Sequence, residues 1–226
     1  MKRPGFWYQA REIARKDLIV EGRAGEALYI TVPFGAVALM LIPLAVGTDK
    51  PLLATIGPGM YLAVSLLFGM LVAFRQTATD DASQRELLAL LGTDPAAKFV
   101  GRAATSLLLM LVFSAVLVPV TILLYNPGRI EGWPWLILVI GLLASGLAMV
   151  GTLAGSVTAG LKTRSTLTPL LVAPLAMPML LAAGQVLEAL RDGSSILAWI
   201  VLLITTNLAM AAIGVATAEA LEESSS

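Results

Sequence analysis

The run FVGRAATSLLLMLVFSAVLVPVTILL, residues 99–124, holds a single charged side chain, Arg102, in 26 positions. About 20 apolar residues suffice for a helix to cross the hydrocarbon core of a bilayer. Immediately before it, DDASQRELLALLGTDPAAKF (80–99) packs charges and leucines into a short space. The same alternation of oily runs and brief polar connections repeats along the chain. Five further runs, 27–46, 56–75, 133–160, 167–188 and 196–218, are long and apolar enough to span. The 133–160 run is long enough to tilt or to hide a break. Hydrophobic residues make up 58% of the 226 positions and charged ones only 13%. Mean hydropathy is +0.86. A soluble domain carries about a quarter charged residues and does not confine them between membrane-length runs. The fold class is therefore all-α: a polytopic membrane protein with six transmembrane helices in one domain, 1–226.

Lys and Arg set the orientation. Twelve of the fifteen fall at the N-terminus, in the second–third connection or in the fourth–fifth connection; Lys50, Arg129 and Arg191 fall on the opposite side. Both termini are expected in the cytoplasm. Trp133 and Trp135 sit where the fourth span enters from the outer side, as interfacial anchors do. Residues 1–23 mix Phe6, Trp7, Tyr8, Ile13 and Leu18 with basic residues, a pattern for a helix lying on the cytoplasmic surface. An apolar core starts only after Glu26, so this is not a cleavable signal peptide.

Composition removes several functions. The formal net charge is zero, which gives no basic bias toward nucleic acid. Cys and His are absent, so thiolate and imidazole ligation, disulfides and a histidine proton shuttle are unavailable. GSVTAGLKT (155–163) has the glycine spacing of a phosphate loop at Gly155 and Gly160. Leu161 then intervenes before Lys162 and Thr163, and the stretch closes a membrane span instead of joining a strand to a helix. ATP is not expected to bind here. No charged residue lies mid-span; Glu26, Arg75 and Glu188 fall near span ends, and Gln185, Thr205, Thr206 and Asn207 are the interior polar candidates. That argues against ion-coupled transport and against acid–base catalysis within the membrane.

The polar connection at 80–99 is the main candidate site. Ser83-Gln84-Arg85-Glu86 fits a capping box. Leu87, Leu88 and Leu91 share a helix face, and Gly92 is a plausible stop. Asp94 and Pro95 then suit the cap and first position of a new helix. A helix of about eight residues is not stable alone and must dock, either in the lipid interface or on a cytoplasmic partner. Periodicity leaves the two open. Elsewhere, Gly151 and Gly155 form a small-xxx-small pair for helix packing, within the chain or with a second copy of it. Pro169, Pro174 and Pro178 each remove a backbone donor, so the fifth span is expected to be kinked or broken.

PLLATIGPGMYLAVSLLFGMLVAF (51–74), RELLALLGTDPAAKFVGR (85–102), TAGLKTRSTLTPLLVAPLAMPMLL (158–181) and AIGVATAEAL (212–221) together resemble the CcmB family, the B-type permeases of the cytochrome c maturation ABC transporter. The resemblance runs over nearly the whole chain, and IGPGMYL and PLLVAPLAMP are its most specific parts. The family has an acidic-glycine step before the leucines, where this chain has Ala82-Ser83. The resemblance implies an ABC-2 exporter-type permease in the bacterial inner membrane, not itself an enzyme. It implies a CcmA-type ATPase carrying the ATP, a CcmC-type haem-handling subunit and a small CcmD-type subunit as partners. It makes Ser83, Arg85, Glu86, Leu87, Leu88 and Leu91 the coupling helix that docks on the ATPase, and haem the cargo. Met177, Met179 and Tyr61 are ligand types for haem, though ordinary membrane packing is much the stronger reading of them. The same architecture would also suit another lipophilic cargo or a non-conducting adaptor for the ATPase.

Overall fold

The computed structural model describes residues 5–24, 26–47, 49–78, 93–127, 132–158 and 164–225. They form seven helices and no strand: α1 (Phe6–Ala24), α2 (Glu26–Val46), α3 (Lys50–Ala78), α4 (Pro95–Tyr125), α5 (Trp133–Val157), α6 (Arg164–Asp192) and α7 (Leu197–Ser225). The last six contain stretches long and apolar enough to cross a membrane. Each matches one of the predicted spans.

The helix ends follow local chemistry. α3 starts at Lys50, six residues earlier than its apolar run, because Asp49 accepts from the amide of Leu52 at 3.3 Å. Asp94 caps α4 through Ala96 N at 2.9 Å, with Pro95 in the first turn. α4 ends on Asn126 in the left-handed region, φ 41°. Gly193, at φ 69°, closes α6, and the Ser194 amide donates to Ala189 O in the 6→1 pattern of such caps. α5 stops at Val157 with Thr158 in a turn; the last predicted residues of that span, 159–160, lie outside the described set.

α5 is the axis of the bundle. It packs against α3, α4, α6 and α7, and 61% of its span is buried, against 17% for α2. α4 is the second hub, touching α1, α2, α3, α5 and α7. α2 lies at the periphery with Tyr29, Phe34, Leu41 and Leu44 turned outward. An apolar outer face of this size is what a lipid-facing helix requires.

Glycines let the helices close up. Gly35 of α2 sits over the Phe68–Phe113 pair that joins α3 to α4; a Cβ there would lie 2.9 Å from the Phe68 ring. Gly57 of α3 receives Tyr125, whose hydroxyl donates to Leu39 O of α2 at 2.8 Å. Gly214 of α7 is covered by the ring of Phe99. Gly151 and Gly155 are buried within α5, on the helix most enclosed by this chain's own neighbours.

Pro169, Pro174 and Pro178 all lie inside one continuous helix, α6. Of the two expected forms, kinked or broken, the helix is not broken. α2, α3 and α4 likewise run through Pro33, Pro43, Pro58 and Pro119. A membrane helix tolerates the missing donors where neighbouring helices and Ser/Thr side chains satisfy the freed backbone groups.

Candidate functional site

Two places combine polar chemistry with helix contacts. The first is the end of the bundle where α1 meets α4. α1 lies along the first turns of α4 so closely that a Cβ on Gly101 would stand 2.7 Å from Ala10 O and 2.9 Å from Ile13 Cβ. Gln9 Oε1 accepts from the Asp94 amide at 2.9 Å. Thr105 Oγ1 lies 3.4 Å from Ala14 O and 3.2 Å from Gly101 O. Thus the residue that caps α4 is also tied to α1. Arg11 and Arg15 remain on the exposed side, Arg15 beside Glu12 at 4.0 Å. Lys16 pairs with Asp17 at 3.0 Å.

The predicted coupling residues Ser83, Arg85, Glu86, Leu87, Leu88 and Leu91 lie outside the described residues. Their flanks do not. α3 ends at Ala78 and the chain is described again from Thr93. The connection therefore leaves and rejoins the bundle at the end where α1 is docked, one residue before the Gln9–Asp94 bond.

The second place is a polar junction inside the spans. Asn207 of α7 is 7% exposed; its amide donates to Leu203 O at 2.8 Å in its own helix and to Leu142 O of α5 at 3.2 Å. Ser145 Oγ reaches Asn207 Oδ1 at 2.5 Å. Gly146 leaves room beside them for Met179 of α6. Three helices thus meet around one amide. The other predicted polar candidates stay local: Thr205 and Thr206 bond back to carbonyls of α7, and Gln185 approaches Glu188 at 3.5 Å. Sequence reasoning missed Ser145 as a hydrogen-bond partner, and it missed the Tyr61–Ser114 bond of 3.1 Å that ties α3 to α4.

The haem-ligand types do not converge. Met179 is fully buried against Gly146, Met177 is 69% exposed on another side of α6, and the Tyr61 hydroxyl is engaged by Ser114. Among the described residues no cluster of Asp and Glu could hold a metal ion. Met177, Met179 and Tyr61 therefore do not come together as ligands of one haem iron.

Seven helices, six of them long and apolar enough to cross a membrane, define a polytopic membrane protein. Residues 8–224 match the family model described as CcmB protein. "Heme exporter protein B" of Paracoccus denitrificans is 33% identical over 186 residues, covering 80% of this chain and 81% of that one. The protein of the same name from Haemophilus influenzae is 30% identical over 184 residues, covering 79% and 80%. That from Rhodobacter capsulatus is 30% identical over 190 residues, covering 82% and 85%. The chain belongs to the CcmB family.

Proposed function

We propose that this chain is the permease subunit of a haem-export ABC transporter serving cytochrome c maturation. The observation that carries the reading is the family match over residues 8–224, supported by relatives named for heme export. The chain hydrolyses nothing itself; a separate ATPase subunit supplies the energy, with C-type and D-type subunits completing the complex. The end of the bundle bearing α1 faces the cytoplasm of a bacterial inner membrane. Haem is cargo here and is not held through its iron by this chain, which has neither His nor Cys.

Residues 83–91 are the coupling element in this reading. Leu87, Leu88 and Leu91 enter a groove of the ATPase, with Arg85 and Glu86 at the rim. Motion of that helix reaches the spans at Asp94, where the cap of α4 and the Gln9 contact of α1 coincide. α1 and α4 then move together, and α4 touches four of the other helices besides α1.

Replacing Leu87 and Leu91 together by Asp tests this. Each buried leucine contributes roughly 1.5–3 kcal/mol, and the new charges would be buried on docking. The variant should insert and express normally but fail to recover the ATPase on affinity purification. Recovery at the wild-type level, with normal cytochrome c maturation, overturns the assignment. A helix resting in lipid would instead weaken membrane seating and leave the complex intact.

A further inference from the structure

At the end of the bundle opposite α1, a cavity of about 60 Å³ opens between α3, α4, α5 and α6. Its wall is almost entirely apolar: Tyr61, Val118, Ile140, Leu187 and Leu190 line it, and Arg191 stands among the lining residues in the last turn of α6. The hydroxyls nearby are already used, Tyr61 toward Ser114 at 3.1 Å and Thr121 toward Leu117 O at 2.8 Å. Water would find few partners in such a space, and cavities that stay dry are the ones that take apolar guests. Arg191 is exposed, with Asp192 beside it in the chain. Glu188, one turn earlier, approaches Gln185, and among the described residues no carboxylate pairs with Arg191.

We propose that this cavity is a binding site for an anionic phospholipid, the upper methylenes of one acyl chain lying in the cavity and the phosphate resting on Arg191. Depth and size agree. Exposed Trp133 and Trp135 at the start of α5 mark this end as the membrane–water level. Leu187 lies one helical turn below Arg191, about 5 Å deeper, the reach of a few methylenes below a headgroup. The volume admits about four to six water-sized groups, again a short length of chain. A macrocycle needs the several hundred Å³ of an ordinary ligand pocket, roughly 300 or more, so the haem cargo does not fit. A guanidinium forms paired, charge-assisted hydrogen bonds to phosphate, which gives the site its headgroup preference. Binding here would join the outer ends of four helices, whatever cargo the bundle handles.

The test uses the full-length chain in micelles, with native mass spectrometry and thermal unfolding as readouts. Phosphatidylglycerol and phosphatidylcholine with identical chains are the probes. The wild type should retain one phosphatidylglycerol with about tenfold preference and unfold at a higher temperature in its presence. Arg191→Gln should abolish the preference while still folding; Lys50→Gln, at the same end but outside the cavity, should keep it. Val118→Phe fills the cavity and should lose the retained lipid of either headgroup. Equal retention of the two lipids by the wild type overturns the proposal, as does an unchanged preference in Arg191→Gln. Displacement of the lipid by added haem at equal stoichiometry would assign the site to cargo and overturn it as well.

Discussion

Asn207 makes hydrogen bonds to two helices at a depth where water does not compete. Both amide hydrogens are used, on Leu203 O and Leu142 O, and its carbonyl oxygen takes the Ser145 hydroxyl. Interhelical hydrogen bonds in membranes average about 0.6 kcal/mol and reach about 1.7. Asn207→Leu removes the bonds to α5, so unfolding in micelles should show a loss of about 1–2 kcal/mol. Ser145→Ala should cost less alone and almost nothing more in the Asn207→Leu background, because the two residues share one bond. Fully additive losses would mean they do not act together. Asn207 stands out in the sequence as a polar residue inside an apolar run. Ser145 does not: it reads as one more small residue in a glycine-rich helix. Its partner depends on how α5 and α7 are rotated about their axes, which composition does not encode.

At the scale of the helix, the spans were legible because bilayer thickness fixes their length and the hydrocarbon fixes their composition. Asp94-Pro95 announced the start of α4 for an equally local reason, a side-chain oxygen and a ring that suit a first turn. The start of α3 is hidden in the sequence, since Lys50 and Pro51 look polar or disruptive and only the Asp49–Leu52 bond makes them a first turn. α1 was legible as a helix from its mixed aromatic and basic residues, but its docking on α4 was not. That contact rests on Gly101, a residue whose role appears only when another backbone lies against it. Because Ala10 O would stand 2.7 Å from a new Cβ, and backbone cannot swing aside as a flexible side chain does, Gly101→Ala must push α1 away. Overpacking of this kind costs about 1–3 kcal/mol. Amide hydrogen exchange in peptides covering residues 6–24 should accelerate about tenfold or more, while α5 and α6 are unaffected. Unchanged exchange in α1 would show that the Gly101 contact does not hold it. The capping box and leucines at 83–91 announce a short helix that must dock, only the family resemblance makes it a coupling element, and the described residues place its two flanks alone.

For the molecule as a whole, the governing quantity is the asymmetry of its basic residues. Alternation of six helices puts residues 5–24, Ala78, Asp94, Thr158, Arg164 and the C-terminal end of α7 at one end, and Lys50, Asn126, Trp133 and Asp192 at the other. Twelve of the fifteen Lys and Arg belong to the first end in the sequence. Short connections rich in Lys and Arg stay in the cytoplasm, whereas Asp and Glu carry little weight, so the acidic C-terminal tail does not oppose this. The absence of native cysteine makes the orientation directly measurable. Single cysteines at positions 50 and 129 should react with an impermeant thiol reagent added outside intact cells, and one at 163 should react only after permeabilisation. The first two substitutions remove basic residues from the outer side, which strengthens the existing bias, so a labelled cysteine there cannot be an artefact of a weakened signal. Thr163 keeps Lys162 and Arg164 on either side, so its variant leaves the inner signal whole. The reverse labelling pattern would place the twelve-charge end outside, and with it the proposed coupling segment, beyond the reach of any cytoplasmic ATPase.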